Sequence, residues 1–257
     1  MPKIICQFSC GAASAVATKL TLAEHDRENV MIVNAFIEEE HRDNRRFLAD
    51  CEKWFDHPIV QFRDEKYSAS THEVWRRSRF MKGPHGAPCS LKLKRELLNS
   101  VAKPGDISVI GFTREESDRA YELEMYFGEE NFAFPLIDRD LSHDDCLAIV
   151  ERAGIKLPMM YRMGYANASC IGCPKGGQNY WQRIRRDFPQ QFVQIQEIQE
   201  NIGPGAYFLR HRSGARAGER MSLAELPPGD GNLADEPSFS CSFFCAMAER
   251  EIEMGSA

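Results

Sequence analysis

The chain is expected to fold as an α/β protein: a mainly parallel, twisted sheet flanked by helices, with a C-terminal extension. Three observations predict this. Short apolar, β-branched runs recur through the first half, segments with helical apolar spacing separate them, and small or polar turns join the two kinds. Residues 3–8 make the first strand and, after a small-residue turn, residues 12–24 the first helix. Residues 30–36 make a second, buried strand. Residues 43–55 make a second helix, with Phe47, Leu48, Cys51, Trp54 and Phe55 at helical spacing. Residues 58–62 are a short third strand, 91–101 a helix and 106–110 another strand. Strands alternating with helices imply βαβ units, whose ligands bind at the carboxyl ends of the strands.

Further along, residues 142–153 read as a helix with Asp144 and Asp145 in its first turn, where acids suit the helix dipole. A long polar helix is expected from Asn179 towards Asn201. Residues 226–237 read as a flexible linker leading to an apolar island that carries Cys241 and Cys245. The expected organisation is an α/β domain over residues 1–200 and an extension over 201–257.

Composition narrows the function classes. The 257 residues are 43% hydrophobic and 27% charged, which suits a cored globular protein. A net charge of −6 argues against a polyanion binder as a whole, so only local basic patches could meet nucleic acid. No apolar run approaches the roughly 20 residues of a membrane span, and the first residues do not read as a secretory signal. Nine cysteines without such a signal are expected as reduced thiols of a cytoplasmic protein.

Residues 8–16, Phe-Ser-Cys-Gly-Ala-Ala-Ser-Ala-Val, join the first strand to the first helix. Small residues let a ligand approach the backbone, the helix N-terminus offers N–H groups, and Ser9 and Ser14 add hydroxyls. A phosphate or sulfate is the natural occupant; an ordinary tight βα turn needs the same small residues. This segment resembles the phosphate loop of the adenine nucleotide alpha-hydrolase-like (PP-loop) superfamily through Ser9, Gly11 and Ser14. Cys10 replaces a glycine and Ala13 an aspartate of the ATP-cleaving members, which brings the loop nearer the sulfonucleotide reductase branch. Residues 111–119, Gly-Phe-Thr-Arg-Glu-Glu-Ser-Asp-Arg, resemble a second segment of the family. There Gly111 would let the nucleotide approach, while Arg114 and Arg119 would grip an anion; Thr113 stands where an arginine is usual. Residues 135–138 and 160–165 also match in order, and Glu40-His41 is similar to a segment near the adenosine.

Cys170-Ile171-Gly172-Cys173 is a Cys-x-x-Cys, whose thiolates can bind a metal ion, hold two corners of an iron–sulfur cluster, or act as a redox dithiol. The surroundings of Cys89 resemble a cysteine segment of iron–sulfur adenylyl-sulfate reductases, with Pro88 in place of the first cysteine. The resemblance thus implies a [4Fe–4S] cluster on Cys89, Cys170 and Cys173, with Cys245, Cys241 or an exchangeable ligand in the fourth position; structural zinc, or no metal, stays open. It also implies a nucleophilic cysteine near the C-terminus, Cys241 or Cys245, reduced by a thioredoxin-like partner. Cys6, Cys51 and Cys146 read as packed thiols. Cations around Cys89 (Arg76, Arg77, Arg79, Lys82, Lys92, Lys94, Arg95), and Trp181 with Arg183, Arg185 and Arg186, suit an anionic substrate or nucleic acid, or form solvated faces.

The whole resembles the phosphoadenylyl-sulfate (PAPS) reductase-like proteins of bacteria and phages. That implies an oxidoreductase of sulfur metabolism acting on PAPS or APS. An ATP-dependent sulfur transferase acting on tRNA or DNA, or a non-enzymatic nucleotide- or zinc-binding module, are the alternatives. A homo-oligomer is compatible with each.

Overall fold

The computed structural model describes residues 2–83, 86–128 and 131–236. The elements begin with β1 (Ile4–Gln7), α1 (Ala12–Glu24), β2 (Val30–Ala35), α2 (Asp43–Phe55), β3 (Ile59–Phe62) and α3 (Thr71–Ser78). There follow α4 (Pro88–Ser90), a π-turn (Leu91–Arg95), α5 (Glu96–Asn99), β4 (Ile107–Val109), α6 (Ser117–Phe127) and β5 (Phe132–Ala133). The chain continues through α7 (His143–Arg152), α8 (Met159–Arg162), α9 (Gln178–Asp187), α10 (Pro189–Ile202), β6 (Leu209–Arg210) and β7 (Arg220–Met221). No helix among the described residues is long and apolar enough to cross a membrane.

The chain divides into two compact units. One holds residues up to 36, 41–62 and 97–163; the other holds 37–40, 63–96 and the chain from 164 onward. The first unit carries the expected α/β fold. Its five strands are all parallel, in the order β3-β2-β1-β4-β5. Strand β1 is paired on both sides, Ile4 standing opposite Val30 and opposite Ile107. Helix α1 can be made of small residues because most of it is buried. It packs on β1 and α7, and Thr18 and Thr21 return their hydroxyls to the carbonyls of Ser14 and Ala17. Phe8 meets Phe47 and, edge-on, Phe55. Each is fully buried, a contribution of about 2–3 kcal/mol apiece. Cys6, Cys51 and Cys146 belong to this core. Burial pushes the Cys6 and Cys146 thiols up to about 12 and that of Cys51 higher still, so they are inert protonated filler. Ser142 caps α7 reciprocally with Asp145, its hydroxyl accepting from the Asp145 N–H at 3.0 Å and the carboxylate accepting from the Ser142 N–H at 2.9 Å.

The second unit corrects three expectations. The helix expected from Asn179 towards Asn201 is two, α9 and α10. Pro189 opens α10, has no N–H to donate, and forces Phe188 out of helical geometry (φ −137°). The helix expected over 91–101 instead begins at Pro88 and contains a π-turn. Residues 226–236 are not a flexible linker. Arg185 donates to the Leu226 and Pro227 carbonyls at 2.9 and 2.7 Å, and Leu226 is buried. Glu236, its side chain 6% exposed, accepts from the Gly177 and Asn179 N–H groups at 2.8 Å each, capping α9. The fully buried Gln199 amide accepts from the Leu223 N–H at 2.6 Å and donates to the Ala206 carbonyl at 3.2 Å, tying the later chain to α10.

Asp43 generates a pH prediction. Its carboxylate takes a two-pronged bond from Arg46, at 2.8 and 2.9 Å, and the Met159 N–H at 2.8 Å. The Arg46 contact, above all, lowers its pKa to about 2. A depressed folded pKa gives stability that is present above the unfolded value near 4 and lost as pH falls through about 2, at most about 2 kcal/mol. Denaturant titrations should show Asp43→Asn less stable than the parent at pH 7, with the difference shrinking below pH 4. In the second unit, Glu236→Ala should lower stability by about 1 kcal/mol through loss of the α9 cap, read from the shift in urea midpoint.

Candidate functional site

In the first unit, strand order reverses direction between β1 and β4, the place where open parallel sheets form a ligand crevice. The loop after β1 and the loop after β4 meet there. A Cβ on Gly111 would lie 2.8 Å from both the Cα and the N of Ser14, so only glycine lets the two backbones touch. Ser9, Gly11, Ser14 and Gly111 are thus brought together. The serine hydroxyls are engaged within the loop: Ser14 Oγ donates to the Gly11 carbonyl at 3.0 Å and accepts from the Ser9 N–H and hydroxyl at 3.1 Å. Tyr161 Oη sits over the start of α1, at 3.4 Å from the Ala12 nitrogen. Cys10 takes the left-handed backbone conformation that favours glycine. It is held at φ +59°, which a side chain rarely adopts, and Asn34 stabilises it by donating to the Phe8 carbonyl and, at 3.6 Å, to Cys10 Sγ.

Arg114 and Arg119 are engaged with the protein's own groups. Arg114 faces Glu115 and Asp140 at 3.5 Å each. Arg119 pairs with Glu116 and lies over the Phe112 ring at 4.4 Å. Thr113 caps the turn that follows it, reciprocally with Glu116. His41 accepts from the Asp43 N–H at 3.1 Å at the start of α2, and burial lowers its pKa.

In the second unit, Cys89, Cys170 and Cys173 line one small, partly open pocket together with Lys94, Thr71 and Trp75. All three cysteines are buried and unbridged. Cys89 comes from the first turn of α4, where Pro88 at the first helical position needs no N–H partner. The π-turn just beyond it is a distortion common at functional sites. The Cys-x-x-Cys loop is pinned at its start by a bridge between Cys170 and Glu40 and by the Ile171 N–H to the Glu39 carbonyl at 2.9 Å. Lys94 lies 3.8 Å from Glu40. A cation beside thiols favours the ligating thiolate.

Among the described residues, no group of three or more His, Cys, Asp or Glu is gathered so as to hold a metal ion. Cys241 and Cys245, the expected nucleophile and fourth ligand, lie outside the described residues.

The residue that sequence reasoning missed is Tyr180. Its buried hydroxyl accepts from the Gly172 and Cys173 N–H groups at 3.0 Å each and donates to the Cys170 carbonyl at 3.1 Å. Burial raises its pKa well above the ordinary phenol value, so it stays neutral. Gly172 turns at φ +78° in a space where any Cβ would strike Ile195. The spacing of an aromatic seven residues after the second cysteine was the available signal.

The basic surfaces are largely spent internally. Trp181 is fully buried among Tyr180, Phe192 and Phe208, not available for stacking on bases. Arg183 and Arg186 both bond Asp187 at 2.8 Å. Near Cys89, Arg76 and Arg77 pair with Glu73, Arg79 caps the carbonyls of Asn201 and Ile202, Lys82 reaches the Lys175 carbonyl, Lys92 pairs with Glu96, and Arg95 is buried. Comparison with known proteins gives no matching family model and no curated relative.

Tyr180→Phe should leave two buried N–H groups without an acceptor, lowering stability by about 1–3 kcal/mol. Cys170 and Cys173 should then react faster with a thiol reagent in the native protein. Gly111→Ala should lower the thermal midpoint through the backbone clash with Ser14, at a cost of about 1–3 kcal/mol.

Proposed function

We propose that the chain is a sulfur-handling oxidoreductase of the sulfonucleotide reductase type. It would take PAPS or APS, and Cys89, Cys170 and Cys173 would hold an iron–sulfur cluster. The observation that carries this reading is the convergence of three thiols, from two separate stretches of sequence, on one pocket in the second unit. The small-residue loop at the strand-order reversal of the first unit supports a nucleotide phosphate or sulfate there, with N–H groups of α1 as donors. The described cysteines, all unbridged, suit the reducing cytoplasm. Such a cluster, when bound, supplies electropositive iron. The protein's own thiolate, Cys241 or Cys245, attacks the sulfuryl sulfur. The sulfur–oxygen bond to the nucleotide breaks, the nucleotide leaves with the electron pair, and an S-sulfocysteine remains. A thioredoxin-like dithiol then releases sulfite and is itself oxidised to a disulfide.

ATP-dependent sulfur transfer to tRNA or DNA is less well supported, because Trp181 is core and the neighbouring arginines are engaged. The test is to purify the full chain without oxygen, record visible and Mössbauer spectra, and assay sulfite and pyrophosphate. Iron and sulfide in the protein, with sulfite released from a sulfonucleotide in the presence of thioredoxin, is the expected result. Colourless protein with stoichiometric zinc would overturn the cluster. Pyrophosphate release stimulated by tRNA or DNA, without sulfite, would replace reduction by sulfur transfer. Nucleotide binding without turnover of any of these substrates would favour the non-enzymatic module.

A further inference from the structure

Strands β6 and β7 pair antiparallel, with Leu209 opposite Met221 and Arg210 opposite Arg220. Leu209 and Met221 are buried. Successive strand residues point to opposite faces, so Arg210 and Arg220 stand side by side on the other face, which is exposed. Backbone bonds extend the hairpin beyond the strands. The His211 N–H reaches the Glu219 carbonyl at 3.0 Å, and the Gly218 N–H reaches the His211 carbonyl at 2.9 Å. At Gly214 and Gly218 nothing lies within 4 Å of the space a Cβ would take, and residues 212–220 are all exposed. The hairpin is an ordered projection.

Its charge is one-sided. Residues 210–220 hold four arginines, no lysine and one glutamate, in a chain of net charge −6. Two of the arginines are neutralised: Arg216 pairs with Glu219 at 2.8 Å and Glu225 at 2.6 Å, and Arg212 faces Glu236 at 3.4 Å. Arg210 and Arg220 meet only backbone carbonyls, those of Gly218 and, at 3.5 Å, Gly205. Arg79, also exposed, adjoins the same turn. It donates to the Asn201 and Ile202 carbonyls at 3.3 and 3.1 Å, and a Cβ on Gly205 would lie 4.0 Å from the Arg79 carbonyl oxygen. No carboxylate among the described residues lies within 4 Å of these three guanidinium groups. Like charges directly opposite each other on a sheet face repel, and a neutral amide side chain would serve the same carbonyls. The arrangement calls for an anion from outside the chain.

We propose that this face of the β6–β7 hairpin, Arg210 and Arg220 with Arg79 beside them, binds the phosphate backbone of duplex DNA without regard to sequence. Guanidinium forks match phosphate oxygens in pairs. Protein interfaces centre on apolar anchors, whereas nucleic-acid interfaces are polar and positively charged. The large exposed apolar side chains of the described residues, Val60, Tyr121, Met125, Tyr126 and Val193, all lie outside the hairpin. With no exposed aromatic ring, the hairpin lacks the stacking platform that single strands require. A two-stranded ribbon fits the major groove of B-form DNA, while that of A-form RNA is too narrow for it. The inference goes beyond the reductase reading, which neither requires nor excludes a DNA surface, and does not rest on it.

The test measures fluorescence anisotropy of a labelled DNA duplex of about 20 base pairs, two helical turns, titrated with the full chain from about 50 to 200 mM salt. The parent should bind, and more weakly as salt rises. Arg210→Gln with Arg220→Gln removes the repelling pair and should weaken binding about tenfold, with the salt slope smaller by about two, one for each lost phosphate contact. Arg63→Gln with Arg152→Gln removes the same charge from two exposed arginines elsewhere and should leave binding unchanged. Far-ultraviolet circular dichroism checks folding. Should the hairpin pair fail to fold, Arg220→Gln alone, which gives up one 3.5 Å bond, carries the test with a slope change of about one. A parent that does not bind the duplex at low salt would overturn the inference. Equal loss in the hairpin and control variants would overturn it too, as would tighter binding of single strands, of an RNA duplex or of polyglutamate than of duplex DNA. Sulfite release, assayed separately, tests the reductase reading whichever way DNA binding falls.

Discussion

Strand β1 is hydrogen-bonded along both edges, to β2 on one side and β4 on the other, and the order of the first unit follows from that central place. Because every strand in this sheet is parallel, each connection must cross over, and the chain reverses its direction of travel across the sheet at β1. The loops leaving β1 and β4 are then forced to the same edge. Gly111 can touch the backbone of Ser14 there only because it has no side chain. The small residues of the first loop and the glycine of the second thus answer one geometric demand. The left-handed backbone at Cys10 is supported by Asn34, which in turn accepts from the Gln61 amide at 3.2 Å.

The second unit meets a different constraint. A loop carrying two cysteines has N–H and carbonyl groups that must be satisfied away from water. Tyr180 takes three of them with one hydroxyl. Glu236 does the equivalent for the start of α9, the helix that presents Tyr180. Glu236 is therefore anchored at Gly177, a few residues beyond Cys173. A segment rich in glycine, proline and charge becomes ordered because the helix dipole and its unmet N–H groups give a carboxylate a fixed place to bind.

Most of the first unit was legible in the sequence because strand and helix periods differ and the turns between them carry small residues. Helices α1 and α2 have the bounds expected from apolar spacing, and Ser142 with Asp145 forms the cap that the acidic first turn of α7 announces. Of the candidate site, Ser9, Gly11, Ser14 and Gly111 were legible as local chemistry and do come together. Arg114 and Arg119 were legible as cations, but charge on a sequence does not reveal the carboxylates that will face it. Trp181 and its arginines misled for the same reason. An aromatic among cations reads alike whether its ring points to solvent or, as here, into the core between two helices.

The sequence by itself determined the parallel α/β unit, the small-residue loop after its first strand and the Cys-x-x-Cys, because periodicity, turn chemistry and residue spacing are local properties. Tertiary structure alone decided that Tyr180 ties the Cys-x-x-Cys loop, that Glu236 caps α9, and that Trp181 packs into the core. These depend on contacts between residues far apart in the chain. Which distant groups meet is settled by how whole elements bury their apolar faces and satisfy their backbone, and no short window of sequence contains that information.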